Sequence, residues 1–239
     1  MDQKRIIDEF KELVSIEVHS RDERAIADVL KEKLTALGLT VTEDKAGEVL
    51  GGNTGNLYAQ LPGSTDGEPV LFSAHMDRVG NHGHIVPLVK EEEGKIVSDG
   101  TSILAGDDIG GVAAILAMLR EVKEKQIPHG PIEVAFSVCE ETGVEGSRQY
   151  DFSKFRSKSA FVYDASGKAG TIVLAAPSKG RVTIRVHGVT AHAGNEPEKG
   201  LNALKVAADL IMQLPDGRLS PVSTANFSII EAGSATNVV

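Results

Sequence analysis

Four short stretches of this 239-residue chain carry side chains able to hold a metal ion or move a proton, and each sits where a regular element begins or ends. His75 and Asp77 follow the apolar run VLFSA. In extended backbone, residues i and i+2 point the same way. His75 can therefore offer a ring nitrogen to a metal, with Asp77 on the same side to hold and polarise the ring. Asp107 and Asp108 stand between Gly106 and Ile109-Gly110-Gly111, at the entrance to a helix. A carboxylate has two oxygens and can lie between two cations, and the glycines let backbone approach closely. An aspartate there also serves as a helix N-cap, and one of the pair can be only that. Glu140 and Glu141 close the run IEVAFSV, in which neighbouring residues face opposite sides. One carboxylate can then bind metal while the other takes a proton from the attacking water. Asp164 ends AFVYD. Taken singly, each of these is an ordinary loop or turn feature. Together they form a nitrogen-and-oxygen donor set without thiolate, which suits Zn²⁺, Mn²⁺ or Co²⁺. Two such ions about 3.5–4 Å apart are a recurrent device for hydrolysis.

Those residues need a scaffold that gathers strand ends. Ile6, Ile7, Phe10, Leu13 and Val14 share one helical face within residues 2–17. Ser20 and Asp22 can start a second helix with Ile26, Val29, Leu30, Leu34 and Leu37 inward, and Gly38 stops it. Residues 57–61 and 70–74 read as strands around the turn-rich PGSTDGEP, 108–125 as a helix, and 131–139, 160–163 and 171–175 as further strands. Strands alternating with helices predict an α/β fold: a mixed, largely parallel sheet flanked by helices. The carboxyl edge of such a sheet is where ligands bind. Beyond Pro177 the texture changes: RVTIRVHG (181–188) alternates as a strand, 201–214 is an amphipathic helix, and 224–230 reads as a returning strand. This β-α-β run predicts a second, smaller α+β domain from Ser178, so the expected division is 1–177 and 178–239.

Composition narrows the classes. Apolar residues make up 41% of the chain, enough for a core, while aromatics are 4% with no Trp, so aliphatic side chains must do the packing. A net charge of −9 argues against a general nucleic-acid binder. The lone Cys139 excludes an internal disulfide. The N-terminus MDQKRIIDEF lacks a signal-peptide core, and no run approaches the ~18 apolar residues of a membrane span. The simplest expectation is a cytoplasmic location, without membrane or nucleic acid as partner.

The blocks AHMDRVG, SDGTSILAGDDIGG, VCEETGVEGS, VYDASG, TAHAGNEPEKGLNAL and GSATNVV occur in that order. They resemble the metallopeptidase superfamily containing peptidase T, bacterial glutamate carboxypeptidase, succinyl-diaminopimelate desuccinylase and the aminoacylases. VCEETG, IVLAAPS and AHAG with PEKG are most similar to the peptidase T-like branch. The resemblance implies a catalytic domain holding two divalent ions, typically zinc, with an inserted lid that mediates homodimerisation. It implies that His75 and Asp164 bind one metal, Asp107 bridges, Glu141 binds the second, Asp77 orients His75, and Glu140 is the general base. His192, in AHAG, is similar to the lid histidine that stabilises the oxyanion, and Asn237, in ATNVV, to a substrate-binding asparagine. The implied reaction is cleavage of a short peptide, tripeptidase- or aminopeptidase-like. An N-acyl amino acid amidohydrolase is the alternative within the enzyme class, and a non-catalytic dimerisation module the alternative outside it.

Three positions depart from the pattern: Ile109 where Lys is frequent, Arg78 where Thr is common, and Cys139 in place of Asp. None removes a ligand. His82, His84 and His129 match no ligand block. The resemblance also implies that the catalytic domain resumes after the lid and brings a final His to the second metal. No such segment lies within the 239 residues, so both domains are expected to be represented in part and activity of these residues alone to be weak.

Overall fold

The computed structural model describes residues 2–80, 83–168, 170–176, 178–233 and 235–239. The chain divides into two units, Met1–Lys168 and Ala169–Val239.

In the first unit, the helical apolar period produces α1 (Gln3–Val14) and α2 (Arg24–Ala36), whose Leu13, Val14, Ile26, Leu30 and Leu34 are fully buried. The sheet contains β1 (Thr40–Glu43), β2 (Leu57–Leu61), β3 (Val70–His75), β6 (Ile132–Ser137) and β7 (Ser159–Val162), in the order β1-β2-β6-β3-β7. β6, β3 and β7 run parallel, β2 pairs antiparallel with β6, and β1 pairs antiparallel with β2 and so runs in the direction of the other three. A short helix α3 (Ala46–Leu50), the hairpin β4 (Pro87–Lys90) and β5 (Lys95–Ser98), and the long helix α4 (Gly106–Glu124) complete the unit. The expected mixed, largely parallel sheet with flanking helices is present.

Burial explains the strand sequences. Every residue of β6 is buried, so its pattern is a near-continuous apolar run. α4 buries Ile109, Val112, Ile115, Leu116 and Leu119 completely. Each such aliphatic side chain contributes roughly 1.5–3 kcal/mol when removed from water. The core is thus aliphatic, as the composition requires.

The second unit holds α5 (Ala203–Gln213), capped by the Asn202 side chain accepting from Lys205 N–H at 3.2 Å. It also holds a hairpin of β8 (Gly217–Ser220) and β9 (Ser223–Ala225). Isolated bridges join Val189 to Leu201 and His192 to Val238.

Several expectations are corrected. Residues 171–175 and 181–188 form no strand, and of 224–230 only the start is paired, in β9. Alternating side chains make a segment suitable for one-sided burial, but a ladder needs a neighbouring strand, and no described segment pairs with 171–175 or 181–188. α1 ends at Val14 rather than 17, and α2 begins at Arg24. The expected helix start at Ser20–Asp22 is instead a turn with Arg21 at φ +77°.

Candidate active site

Parallel strands share one carboxyl edge, and that edge collects the reactive groups. β3 ends on His75 itself. The chain keeps its ladder for one more residue, with Met76 N–H donating to Ser137 O at 2.8 Å, and then turns into Asp77. β6 leads to Glu140 and Glu141 through Cys139, whose φ is +51°. Beyond β7, Tyr163 N–H still donates to Ser73 O at 2.9 Å, which carries Asp164 to the same edge.

The start of α4 supplies Asp107. Both aspartates of the pair have non-helical backbone, and the peptide between them is cis. The two carboxylates part: Asp107 has 70% of its side chain exposed, whereas Asp108 is 2% exposed. Asp108 Oδ2 accepts from His75 N–H at 3.1 Å, so this carboxylate braces the end of β3. Gly111 permits the close approach, because a Cβ there would lie 2.3 Å from Asp108 Oδ1 and 2.7 Å from Tyr163 Cβ.

His75 is 2% exposed. Its Nδ1 lies 2.9 Å from the Asp77 backbone carbonyl and 3.5 Å from Asp77 Oδ1. Its Nε2 lies 3.1 Å from Asp107 Oδ1 and 3.9 Å from Glu140 Oε2. His75, Asp107 and Glu141 each offer a ligand atom within 4.8 Å of the others, and so do His75, Glu140 and Asp164. The Asp77 carboxylate does a second job. Its Oδ1 accepts from Glu140 N–H at 2.9 Å, and its Oδ2 from Glu141 N–H at 3.1 Å and Ser20 Oγ at 2.6 Å.

The electrostatics are those of crowded acids. Burial raises the carboxyls of Glu140, Glu141 and Asp164, and neighbouring carboxylates push the same way against the opposing influence of His75. Burial likewise raises Asp108, to about 8. For His75, burial disfavours the charge, but Asp77, Asp108 and Asp107 prevail and raise it to about 10. Burial also opposes the charge of Asp77, and hydrogen bonds from His75, Ser20 and Glu140 N–H hold its carboxyl below the usual range. One imidazole nitrogen with the four carboxylates of Asp107, Glu140, Glu141 and Asp164 is a donor set with excess negative charge, and it fits divalent cations that take nitrogen and oxygen ligands.

In the second unit, His192 Nδ1 accepts from Gly194 N–H at 3.1 Å and Asn195 N–H at 3.2 Å. Its proton therefore resides on Nε2, which makes that atom a donor. Ala193 N–H donates to Asn237 O, and Val239 N–H to Ala191 O, so the AHAG and TNVV blocks lie side by side.

Residues 56–194, more than half of the chain, match the model of peptidase family M28, and residues 177–239 match the peptidase dimerisation domain. The crystal structure of aminopeptidase PepT from Bacillus cereus ATCC 10987 superposes with a TM-score of 0.86 at 40% identity, over 100% of this chain and 64% of that one. The chain belongs to the peptidase T-like group of dimetal peptidases. A tripeptidase of Staphylococcus aureus subsp. aureus Mu50 matches this peptidase T-like chain with a TM-score of 0.87 at 34% identity, again over 100% and 64%. The YqjE protein of Bacillus subtilis (strain 168) is 38% identical over 239 residues, 100% of this chain and 64% of that protein. The peptidase T-like chain thus spans 64% of the length of these relatives.

His82 lies outside the described residues. His84 and His129 belong to neither group of prospective ligands, and His129 Nδ1 instead lies 2.7 Å from Gly130 O. Sequence reasoning overlooked Glu23, which is fully buried behind the site. A signal was available: Glu23, the residue that caps α2, stands at i, with Ile26, Ala27 and Leu30 of the helix's inward face at i+3, i+4 and i+7. Arg78, noted as a departure, is buried and donates from Nη1 to Val14 O at 3.1 Å, satisfying a carbonyl at the end of α1.

Proposed function

We propose that the protein is a metallopeptidase that hydrolyses short peptides with a free amino terminus, using two divalent ions, zinc foremost. The observation that carries this reading is the meeting of His75 with Asp107 and Glu141, and with Glu140 and Asp164, at one edge of the sheet. His75 Nε2 and Asp164 would hold one ion, Glu141 the other, and Asp107 would lie between them. Ions held there act as Lewis acids toward the scissile carbonyl and make water more acidic.

The chain's own residues do the rest. Asp77 fixes His75 through its carbonyl and Glu140 and Glu141 through its carboxylate. Glu140, raised by burial, is suited to accept a proton from the attacking water and return it to the leaving amine. His192 presents an N–H donor of the kind that stabilises an oxyanion, and Asn237 beside it would contact substrate. Residues 178–239 are assigned to a lid through which two copies associate, and 1–177 to the catalytic domain. Among the described residues no helix is long and apolar enough to cross a membrane.

The test is a screen of tripeptides and N-acetyl amino acids with Zn²⁺, Mn²⁺ or Co²⁺ supplied. Release of the N-terminal residue from tripeptides, abolished by a chelator, is the expected result. Faster cleavage of N-acetyl amino acids would transfer the assignment to an amidohydrolase. Bound metal with neither activity would overturn it.

A further inference from the structure

The turn that carries Glu140 and Glu141 is held from behind by two carboxylates. Its three successive backbone N–H groups all end on them: Cys139 N–H donates to Glu23 Oε1 at 3.0 Å, and Glu140 and Glu141 N–H donate to Asp77. Glu23 lies 116 residues away in sequence and is completely buried. The same Oε1 accepts from Arg21 N–H at 3.0 Å, whereas Oε2 has no hydrogen-bond partner among the described residues.

We infer that Glu23 is a positioning residue for the Glu140–Glu141 pair. Cys139 is where the chain leaves β6, and it does so in the left-handed region that a side chain disfavours. The orientation of its N–H sets the direction in which the next two residues depart. Beyond Glu141 the turn closes on itself, with Gly143 and Val144 N–H on Glu140 O and Glu145 N–H on Cys139 O. Those bonds give the turn a shape but do not aim it at the sheet edge. The aim comes from Asp77 on one side and Glu23 on the other, with Ser20 steadying Asp77 and Arg21 reaching Glu145 at 3.3 Å. The segment 20–23 is therefore the platform against which the acid pair is set.

This inference rests on the metallopeptidase reading, and cobalt(II) separates the two. The full chain and its Glu23→Gln, Glu23→Asp and Glu23→Ala variants are titrated with Co²⁺, following affinity and the visible absorption band, with folding checked by thermal unfolding. Gln keeps the acceptor oxygen in place without the charge; Asp keeps the charge but falls short of Cys139. The Gln variant should retain the parent's spectrum and an affinity within about threefold, while Asp and Ala shift the band and weaken binding by about 10–100-fold. On any peptide the parent cleaves, Asp and Ala should lower kcat about 10–100-fold and leave KM nearly unchanged. If Ala fails to fold, the contrast between Gln and Asp decides. An Asp variant with the parent's spectrum and affinity, a Gln variant damaged as badly as Asp, or a parent that takes up no cobalt would overturn the assignment. A parent that binds cobalt and cleaves nothing would refute the peptidase reading while the spectra still decide the role of Glu23.

Discussion

At the residue scale, adjacent acids have been given different environments. Asp107 reaches solvent while Asp108 is enclosed against His75 N–H, and Glu140 and Glu141 hang from one Asp77 carboxylate by their amides while their own carboxylates remain available. The assignment of Glu140 as base predicts that Glu140→Ala lowers kcat by about 10²–10⁴ with metal content unchanged. Metal analysis beside steady-state kinetics checks it; loss of metal would exchange the roles of Glu140 and Glu141. A second prediction follows from protonation. Without a cation, His75 is raised to about 10, Asp108 to about 8, and Glu140, Glu141 and Asp164 above their usual range. Cations require neutral imidazole and ionised carboxylates, so loading must expel protons and affinity must fall as pH falls. Calorimetric titration at pH 7 in two buffers of different ionisation enthalpy should show release of about one proton or more per cation. No release would mean that His75 is already neutral.

At the element scale, α2 is tied to β1 by Glu43. Its carboxylate accepts from Arg24 at 2.6 and 3.1 Å, Lys31 at 2.7 Å, Thr54 Oγ1 at 2.9 Å and Gly55 N–H at 3.0 Å. Burial opposes its charge, but the Arg24 and Lys31 bonds hold the carboxyl well below the ordinary carboxylate range. A carboxyl depressed by folding stabilises fully above its unfolded value, 4.5, and loses that contribution as pH falls below it. Glu43→Gln should therefore cost about 1–2 kcal/mol at pH 7 by urea denaturation, the low end because Arg24 is part-exposed. The gap from the parent should narrow as pH drops below about 4.5. A gap independent of pH would assign the loss to packing.

At the scale of the whole molecule, residues 177–239 match a peptidase dimerisation domain, and this stretch exposes Val182, Ile184, Val222 and Ile229. Large exposed aliphatic side chains are what an interface covers. The protein is predicted to sediment as a homodimer at micromolar concentration. A monomer at every concentration tested would refute the assignment of 178–239 as the dimerising lid.

The acid pairs, His75 and the apolar strands and helices that end on them were legible in the linear chain, because metal chemistry demands particular side chains and burial demands particular periods. Tertiary structure alone decided which strands found partners: 171–175 is an apolar run and 181–188 alternates, yet both pair with nothing described, since a ladder depends on a neighbour that no local period encodes. It alone separated Asp107 from Asp108, which have the same chemistry and adjacent positions, by burying one and exposing the other. It also turned Glu23 from a residue near a helix start into a support for Cys139, a contact across 116 residues that only the folded chain can make.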